Sequence, residues 1–277
     1  MEIKRIAFIG TGSMGGAILS GLLKSGFNPD AVSVSTSSTA SAERLADEFG
    51  VLSYAMENGD DANQMAVAGA NVVLIGVKPK FVIEVLKDIA DSLDDNALVI
   101  SVAAGITTRA MEEVLPEDVG VVRAMPNTPA IVGRAVTGVS AGSRSTDWAL
   151  QTAQELFETV GKVLVVDESK IDALSTISGS GPAYVFLLIE ELTAAAKKQG
   201  FNDAEAALLV NETFLGASEL LVHSNKSPAD LRRQVTSPNG TTERAIAVMQ
   251  ASNLQKMFAD ATDAALARAK ELALGQN

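Results

Sequence analysis

The sequence predicts an α/β protein, with an N-terminal doubly wound and mostly parallel sheet followed by an all-helical C-terminal domain. From Ile3 to about Val166, short β-branched runs alternate with amphipathic helical segments, as in repeated βαβ units. After Asp167 the strand signals stop, and alanine- and leucine-rich segments of helical period follow. Aromatic residues make up only 4% of the chain, which favours helices packed through small side chains. We therefore expect two domains, residues 1–167 and 168–277.

Eight strands and four main helices are expected in the first domain. The strands are predicted at residues 5–9, 32–36, 51–54, 72–77, 97–102, 119–123, 135–140 and 162–166. The helices are predicted at residues 14–25, 40–49, 81–92 and 147–159.

The second domain is predicted to contain five helical segments, at residues 168–199, 203–224, 228–235, 242–251 and 254–273. Residues typical of helix ends lie between them. Gly200 is expected to end one helix, Ser227 and Pro228 to begin another, and Asn253 to cap the last.

Composition excludes several classes of function. The net charge of −12 repels phosphate backbones, so nucleic acid is not an expected partner. The chain has no cysteine and a single histidine, His223, so we expect neither disulfides nor a metal site. No signal-peptide pattern opens the sequence and no segment offers about 18 uninterrupted apolar residues, so no membrane association and a cytoplasmic location are expected.

A glycine-rich motif follows the first predicted strand and precedes a helical segment at once. It has the GxGxxG spacing of a Rossmann-type dinucleotide site, Gly10-Thr11-Gly12-Ser13-Met14-Gly15. Gly10 permits a tight turn, Gly12 allows the backbone to approach a pyrophosphate, and Gly15 lets the helix close onto the strand. The helix N-terminus can then hold the anion, despite the negative charge of the whole chain.

The end of the second strand bears on the choice of dinucleotide. An acidic residue about 20 positions beyond the glycines would bind the ribose 2′-hydroxyl of NAD and repel the 2′-phosphate of NADP. This chain has Ser35, Thr36, Ser37 and Ser38 there. NADPH is therefore favoured, with NADH left possible; Arg44, the nearest basic side chain downstream, is as easily a solvated helix residue.

Five further motifs carry a resemblance to a known family. In chain order they are Val77-Lys78-Pro79, Ala103-Ala104-Gly105, the segment 123–129 (RAMPNTP), the segment 178–184 (SGSGPAY) and the segment 236–242 (TSPNGTT). Each alone is ambiguous, because a strand exit or a helix break would also explain it. Together and in this order, the set resembles Δ1-pyrroline-5-carboxylate reductase across nearly the whole chain.

The resemblance implies hydride delivery to the C=N bond of pyrroline-5-carboxylate, giving L-proline. It also implies a helical dimerisation domain that interlocks with a second copy, in dimers and often in pentamers of dimers. The implied cofactor contacts are Gly10 to Gly15, Ser35, Thr36, Ser37, Asn63, Val77, Lys78, Pro79, Ala103, Ala104, Gly105 and Gln234. The implied substrate contacts are Glu168, Gly240, Thr241 and Thr242.

Thr242 is the catalytic candidate. Segment 240–242 precedes a helical run, so its backbone N–H groups suit a substrate carboxylate, and the Thr242 hydroxyl could point at the imine nitrogen. Plain helix capping is the alternative role for these threonines. The family usually has two glycines where this chain has Asn239 and Gly240, but Asn tolerates the left-handed conformation that the loop requires.

Two other classes of protein also have the glycine motif. β-Hydroxyacid dehydrogenases resemble one another in having a catalytic lysine four residues after the last glycine of the interdomain motif. This chain has Val185 at that position. A non-catalytic dinucleotide-binding regulator would have no need of an anion-binding loop around Thr242. Both remain alternatives to the reductase at this point.

Overall fold

The computed structural model describes residues 3–273 of the 277-residue chain. The described residues form two compact units. One contains residues 3–180 with 266–273, and the other contains residues 181–265.

A single eight-stranded sheet lies in the first unit, in the order β3-β2-β1-β4-β5-β6-β7-β8. Its strands are β1 (Ile6–Ile9), β2 (Val32–Thr36), β3 (Leu52–Ala55), β4 (Val72–Ile75), β5 (Leu98–Ser101), β6 (Gly120–Met125), β7 (Ala135–Ala141) and β8 (Gly161–Val165). All neighbouring pairs are parallel except β6 and β7. The eight predicted strands are therefore confirmed, each within two residues of its expected ends.

The sheet separates two hydrophobic clusters because side chains alternate along each strand. In β1, Ile6 and Phe8 join one cluster, whereas Ala7 and Ile9 join the other. The strand order reverses between β1 and β4, which makes their carboxyl ends the topological switch point where doubly wound sheets bind ligands.

Twelve α-helices are present in the described residues. They are α1 (Ser13–Lys24), α2 (Thr39–Phe49), α3 (Ala62–Val67), α4 (Val82–Ile89), α5 (Thr108–Glu112), α6 (Asp147–Glu158), α7 (Ile171–Leu174), α8 (Gly181–Lys198), α9 (Asp203–His223), α10 (Pro228–Gln234), α11 (Thr241–Ala251) and α12 (Leu254–Ala273). The sequence did not predict α3 and α5, because six and five residues are too few to display a helical period.

The segment predicted as one helix over 168–199 is interrupted. A 3₁₀ turn at Glu168–Lys170 precedes α7, and a π-helical turn, Ser175–Gly179, separates α7 from α8. In that turn the Ser180 N–H donates to the Ser175 carbonyl over 2.9 Å, and a Cβ at Gly179 would lie 2.8 Å from Ser175 Oγ. A side chain at position 179 would therefore require Ser175 to change its rotamer.

Residues 168–180 belong to the compact unit of the sheet. Arg123 of β6 donates to Asp172 over 2.6 Å, and Asn127 donates to the Ser178 carbonyl over 2.9 Å. A Cβ at Gly138 of β7 would lie 2.6 Å from a Leu174 methyl, which shows how closely α7 covers that strand.

The second unit contains α8 to α11 and the start of α12. Its helix ends follow the sequence: Gly200 has φ +100° after α8, Ser227 caps α10, and Asn253 adopts φ 52° before α12. No residue of α8 is buried, and α9 buries only Ala206 and Val210. Large apolar side chains are exposed on both helices, among them Phe186, Leu187, Leu192, Leu208, Leu215 and Val222. Within residues 3–273, no helix combines the length and apolar character needed to cross a bilayer.

Candidate active site

The loops after β1, β2, β4 and β5 meet at one edge of the sheet. The Gly10 N–H donates to the Ser35 carbonyl over 3.0 Å, and the Gly76 N–H donates to the Ile9 carbonyl over 2.8 Å. The Val102 N–H donates to the Ile75 carbonyl over 3.0 Å. These bonds extend the sheet into the loops and bring most of the predicted cofactor contacts together.

Two glycines of the first loop lie in closely packed positions. Gly10 has φ +81°, and a Cβ there would lie 2.8 Å from the backbone nitrogen of Val77. Gly15 lies in the first turn of α1, where a Cβ would lie 3.3 Å from the Gly10 carbonyl oxygen. The turn and the loop after β4 therefore fit together only with glycine at position 10, and Gly15 lets α1 approach that turn closely.

Gly12 has a different environment. Its φ of −78° is unstrained, and a Cβ there would meet no atom within 4 Å. Gly12 is the N-cap of α1, whose first turn has neither an acidic residue nor a side-chain cap. The backbone N–H groups of Ser13, Met14 and Gly15 thus form an uncapped helix N-terminus beside open space, which fits a pyrophosphate.

Thr11 adds a second indication of a ligand. The residue is 7% exposed, and its buried Oγ1 has no hydrogen-bond partner among the described residues. Buried hydroxyls normally have a partner, so this one is suited to a ligand oxygen.

The polar side chains at the end of β2 differ in whether they are exposed to a ligand. Ser35 is buried and donates to Asn63 Oδ1 over 2.6 Å, while Asn63 donates to Asp88 of α4 over 3.0 Å. Thr36 is buried and donates to the Ser38 carbonyl over 3.0 Å. Ser37 alone of the predicted set in this region is exposed. Ser35 and Asn63 therefore stabilise the loop that presents Ser37.

A carboxylate that the sequence analysis missed lies in this region. Glu57, in the turn after β3, accepts a hydrogen bond of 2.8 Å from the Thr39 N–H at the start of α2. Asn58 accepts from the Thr39 hydroxyl over 3.0 Å. The usual spacing rule considers only the end of β2, whereas this acidic residue comes from the neighbouring strand.

The remaining predicted cofactor residues of this unit lie in the loops after β4 and β5. Lys78 and Pro79 are exposed, and Val77 is partly buried against Gly10. Ala103 is buried, Ala104 is exposed, and Gly105 has φ +77°, just ahead of α5. The loop after β5 thus depends on a left-handed turn at Gly105.

Glu168, a predicted substrate contact, lies at the N-terminus of α5. Its two carboxylate oxygens accept hydrogen bonds of 2.7 Å each from the backbone N–H and the hydroxyl of Thr108. Arg123, with a side chain only 4% exposed, lies 3.6 Å from Glu168 and 2.6 Å from Asp172. Thr108 was not among the site residues expected from the sequence.

The other predicted substrate contacts lie in the second unit. Gly240 is the N-cap of α11, so Thr241 and Thr242 occupy the first two helical positions, and neither hydroxyl has a partner within residues 3–273. Neither threonine side chain therefore caps α11 in the described structure. Asn239 adopts φ 58°, as expected, and its N–H donates to Glu243 over 2.9 Å.

Gln234, the less direct cofactor candidate, is exposed at the end of α10. On the same helix, a hydrogen bond from the Ser227 side chain holds the pKa of Asp230 below its ordinary value.

Among the described residues, no group of three histidine or acidic side chains could hold a metal ion.

An uncapped helix N-terminus behind a glycine turn, at the switch point of a doubly wound sheet, defines a dinucleotide-binding protein of the Rossmann class. Residues 168–272 match the family model described as pyrroline-5-carboxylate reductase dimerisation, and residues 5–105 match the model of NADP oxidoreductases, coenzyme F420-dependent.

Similarity to curated and solved proteins extends over the whole chain. A pyrroline-5-carboxylate reductase of Corynebacterium melassecola is 40% identical over 96% of this chain and 98% of its own. A solved pyrroline-5-carboxylate reductase from Coxiella burnetii is 37% identical, with a TM-score of 0.91 over 98% of this chain and 99% of its own. The Plasmodium falciparum enzyme, solved with NADP bound, is 25% identical, with a TM-score of 0.84 over 99% of both chains. This chain belongs to the pyrroline-5-carboxylate reductase family.

Proposed function

We propose that this protein is an NADPH-dependent reductase of 1-pyrroline-5-carboxylate that forms L-proline, the last step of proline synthesis. The observation that carries the proposal is the uncapped N-terminus of α1 at Gly12, in a chain that matches reductases of this substrate over its full length. When bound, the dinucleotide would supply a hydride to the imine carbon; the C=N electron pair would move to nitrogen, which would take up a proton. Family membership weighs against the β-hydroxyacid dehydrogenase and the non-catalytic regulator.

Specific residues of this chain would bind and orient the reactants. The first-turn N–H groups of α1, with the Thr11 hydroxyl, would hold the pyrophosphate. The loops after β2, β4 and β5 would hold the rest of the dinucleotide through Ser37, Lys78 and Ala104.

At the substrate end, the N–H groups at Thr241 and Thr242 would hold the carboxylate, and Gln234 would lie near the nicotinamide. The Thr242 hydroxyl, which has no partner among residues 3–273, would hydrogen-bond the ring nitrogen as it becomes protonated. Because a protonated imine accepts hydride readily, orientation would provide most of the rate enhancement.

The two predicted domains would have different roles. Residues 1–167 would bind the dinucleotide, and residues 168–277, which include the match to the dimerisation model, would bind substrate and form the dimer. The exposed apolar side chains of α8 and α9 support burial against a second copy. A homodimer, or a decamer of five dimers, in the cytoplasm is our proposal for the working form.

An absorbance assay of NADPH oxidation with racemic pyrroline-5-carboxylate tests this function. Turnover is expected with the imine, whereas 3-hydroxyacids supplied with NADP+ should give no NADPH, and the KM for NADPH should be below that for NADH. Dinucleotide binding without turnover would contradict the proposal. A strong preference for NADH would contradict only the choice of cofactor.

A further inference from the structure

We propose that Thr108 is a positioning residue, which holds the Glu168 carboxylate in the orientation needed for substrate binding. The inference rests on the proposed function and on the expectation from the sequence that Glu168 contacts the substrate. Thr108 itself is not placed in contact with either reactant.

The contacts of Glu168 are unequal, and Thr108 makes the shortest ones. Its N–H donates to Oε1 and its hydroxyl to Oε2, each over 2.7 Å. Two donors on two oxygens fix the carboxylate plane as well as its place. The Arg123 guanidinium lies 3.6 Å from Oε1 and directs its closer contact, 2.6 Å, to Asp172. Thr108 is therefore the main determinant of how the Glu168 carboxylate is oriented.

The hydroxyl of Thr108 is not needed to cap its own helix. The N-cap of α5 is Thr107, whose Oγ1 accepts from the Ala110 N–H over 3.2 Å. Thr108 is 5% exposed, whereas the Glu168 side chain is 27% exposed. The hydrogen bonds thus join a buried donor to an acceptor with a face open to a ligand.

Thr108 lies next to the predicted cofactor loop and binds Glu168, a predicted substrate contact. It lies three residues after Gly105, at the end of the predicted cofactor loop after β5. An ionised carboxylate accepts hydrogen bonds and donates none. The substrate group that can donate to Glu168 is therefore its protonated ring nitrogen. Fixing Glu168 to the start of α5 would therefore align the imine with the cofactor loop, and hydride transfer depends on that alignment.

Three variants separate positioning from folding. Thr108→Val keeps the shape and the backbone N–H but removes the hydroxyl donor; Thr108→Ser restores that donor. Thr107→Val makes the same chemical change one residue earlier, where it removes the helix cap and leaves Glu168 untouched.

We expect Thr108→Val to raise the KM for pyrroline-5-carboxylate about tenfold, the usual effect of losing one hydrogen bond to a charged group. The KM for NADPH should stay within about twofold. Thr108→Ser should recover the KM of the unmodified enzyme to within about twofold. Thr107→Val should lower Tm by about 2–4 °C and leave both KM values unchanged.

A double-mutant cycle with Glu168→Gln completes the test. If Thr108 acts through Glu168, adding Thr108→Val to Glu168→Gln should change the KM little further. Full additivity, an unchanged KM in Thr108→Val, or an equal effect of Thr107→Val would overturn the inference. Absence of turnover in the unmodified protein would instead contradict the proposed function, so the two failures are distinguishable.

Discussion

The Val77 side chain occupies the space that a side chain on Gly10 would need. A Cβ at Gly10 would come within 2.5 Å of Val77 Cγ1, and the glycine has φ +81°. The first turn of the dinucleotide site is thus packed directly against the loop that carries Lys78 and Pro79. Gly10 is required by this packing, in contrast to Gly12, which adjoins open space.

Gly10→Ala should therefore impair folding and binding together. Left-handed strain and the clash with Val77 should lower the free energy of unfolding by more than about 1 kcal/mol. NADPH affinity should fall as the two loops separate. Denaturant unfolding and a fluorescence titration with NADPH measure the two effects; unchanged stability would show that the loops adapt.

Gly12→Ala should impair binding almost alone. Its Cβ meets no protein atom, so the cost to stability is that of a poorer N-cap, about 1 kcal/mol or less. The Kd for NADPH should rise at least about tenfold, because the methyl group enters the space assigned to the pyrophosphate. Gly16→Ala is the matched control: it also meets no atom within 4 Å, lies inside α1, and should keep the affinity.

Glu57→Gln should favour NADPH over NADH. Gln can still accept the hydrogen bond from the Thr39 N–H but lacks the charge that repels a 2′-phosphate. The KM for NADPH should fall about two- to fivefold, the KM for NADH should change less, and the difference should shrink in high salt. An equal effect on both cofactors would place Glu57 away from the 2′-phosphate.

Thr242→Ala should lower kcat/KM by roughly 10- to 1000-fold, within the range for a positioned proton-transfer group. Since Gly240 is the N-cap and the Thr242 hydroxyl has no partner within the described residues, stability should fall by about 1 kcal/mol or less. Steady-state kinetics and thermal unfolding test this, with Thr242→Ser as the variant that retains the hydroxyl. Unaltered kinetics in the alanine variant would remove Thr242 from the mechanism.

Asn239→Gly should leave catalysis within about twofold of the unmodified enzyme. Glycine adopts the φ of 58° without strain, and the hydrogen bond to Glu243 uses the backbone N–H. Asn239→Ala should cost about 1 kcal/mol of stability, because alanine tolerates the left-handed region poorly. A changed substrate KM in the glycine variant would indicate that the Asn239 side chain itself contacts the substrate.

What could be predicted from the sequence depended on how local the signal was. The GxGxxG turn, the strands and the caps at Ser227 and Asn253 are set by neighbouring residues, and the structure has them as expected. Glu57 and Thr108 act on residues 18 and 60 positions away, through the packing of separate strands and helices. No local pattern could have indicated them. The π-helical turn was also missed: the serines and glycines of segment 175–181 are compatible with a helix break, but they do not specify a π turn.

Because apolar side chains of α8 and α9 are exposed, the free energy of unfolding should depend on protein concentration as well as on the chain itself. A helical unit that leaves Phe186 and Val222 more than half exposed is incompletely stabilised by its own contacts. Association contributes the remainder by mass action, so dilution weakens it and crowded copies strengthen it. For such a protein, a melting temperature has meaning only beside the protein concentration at which it was measured.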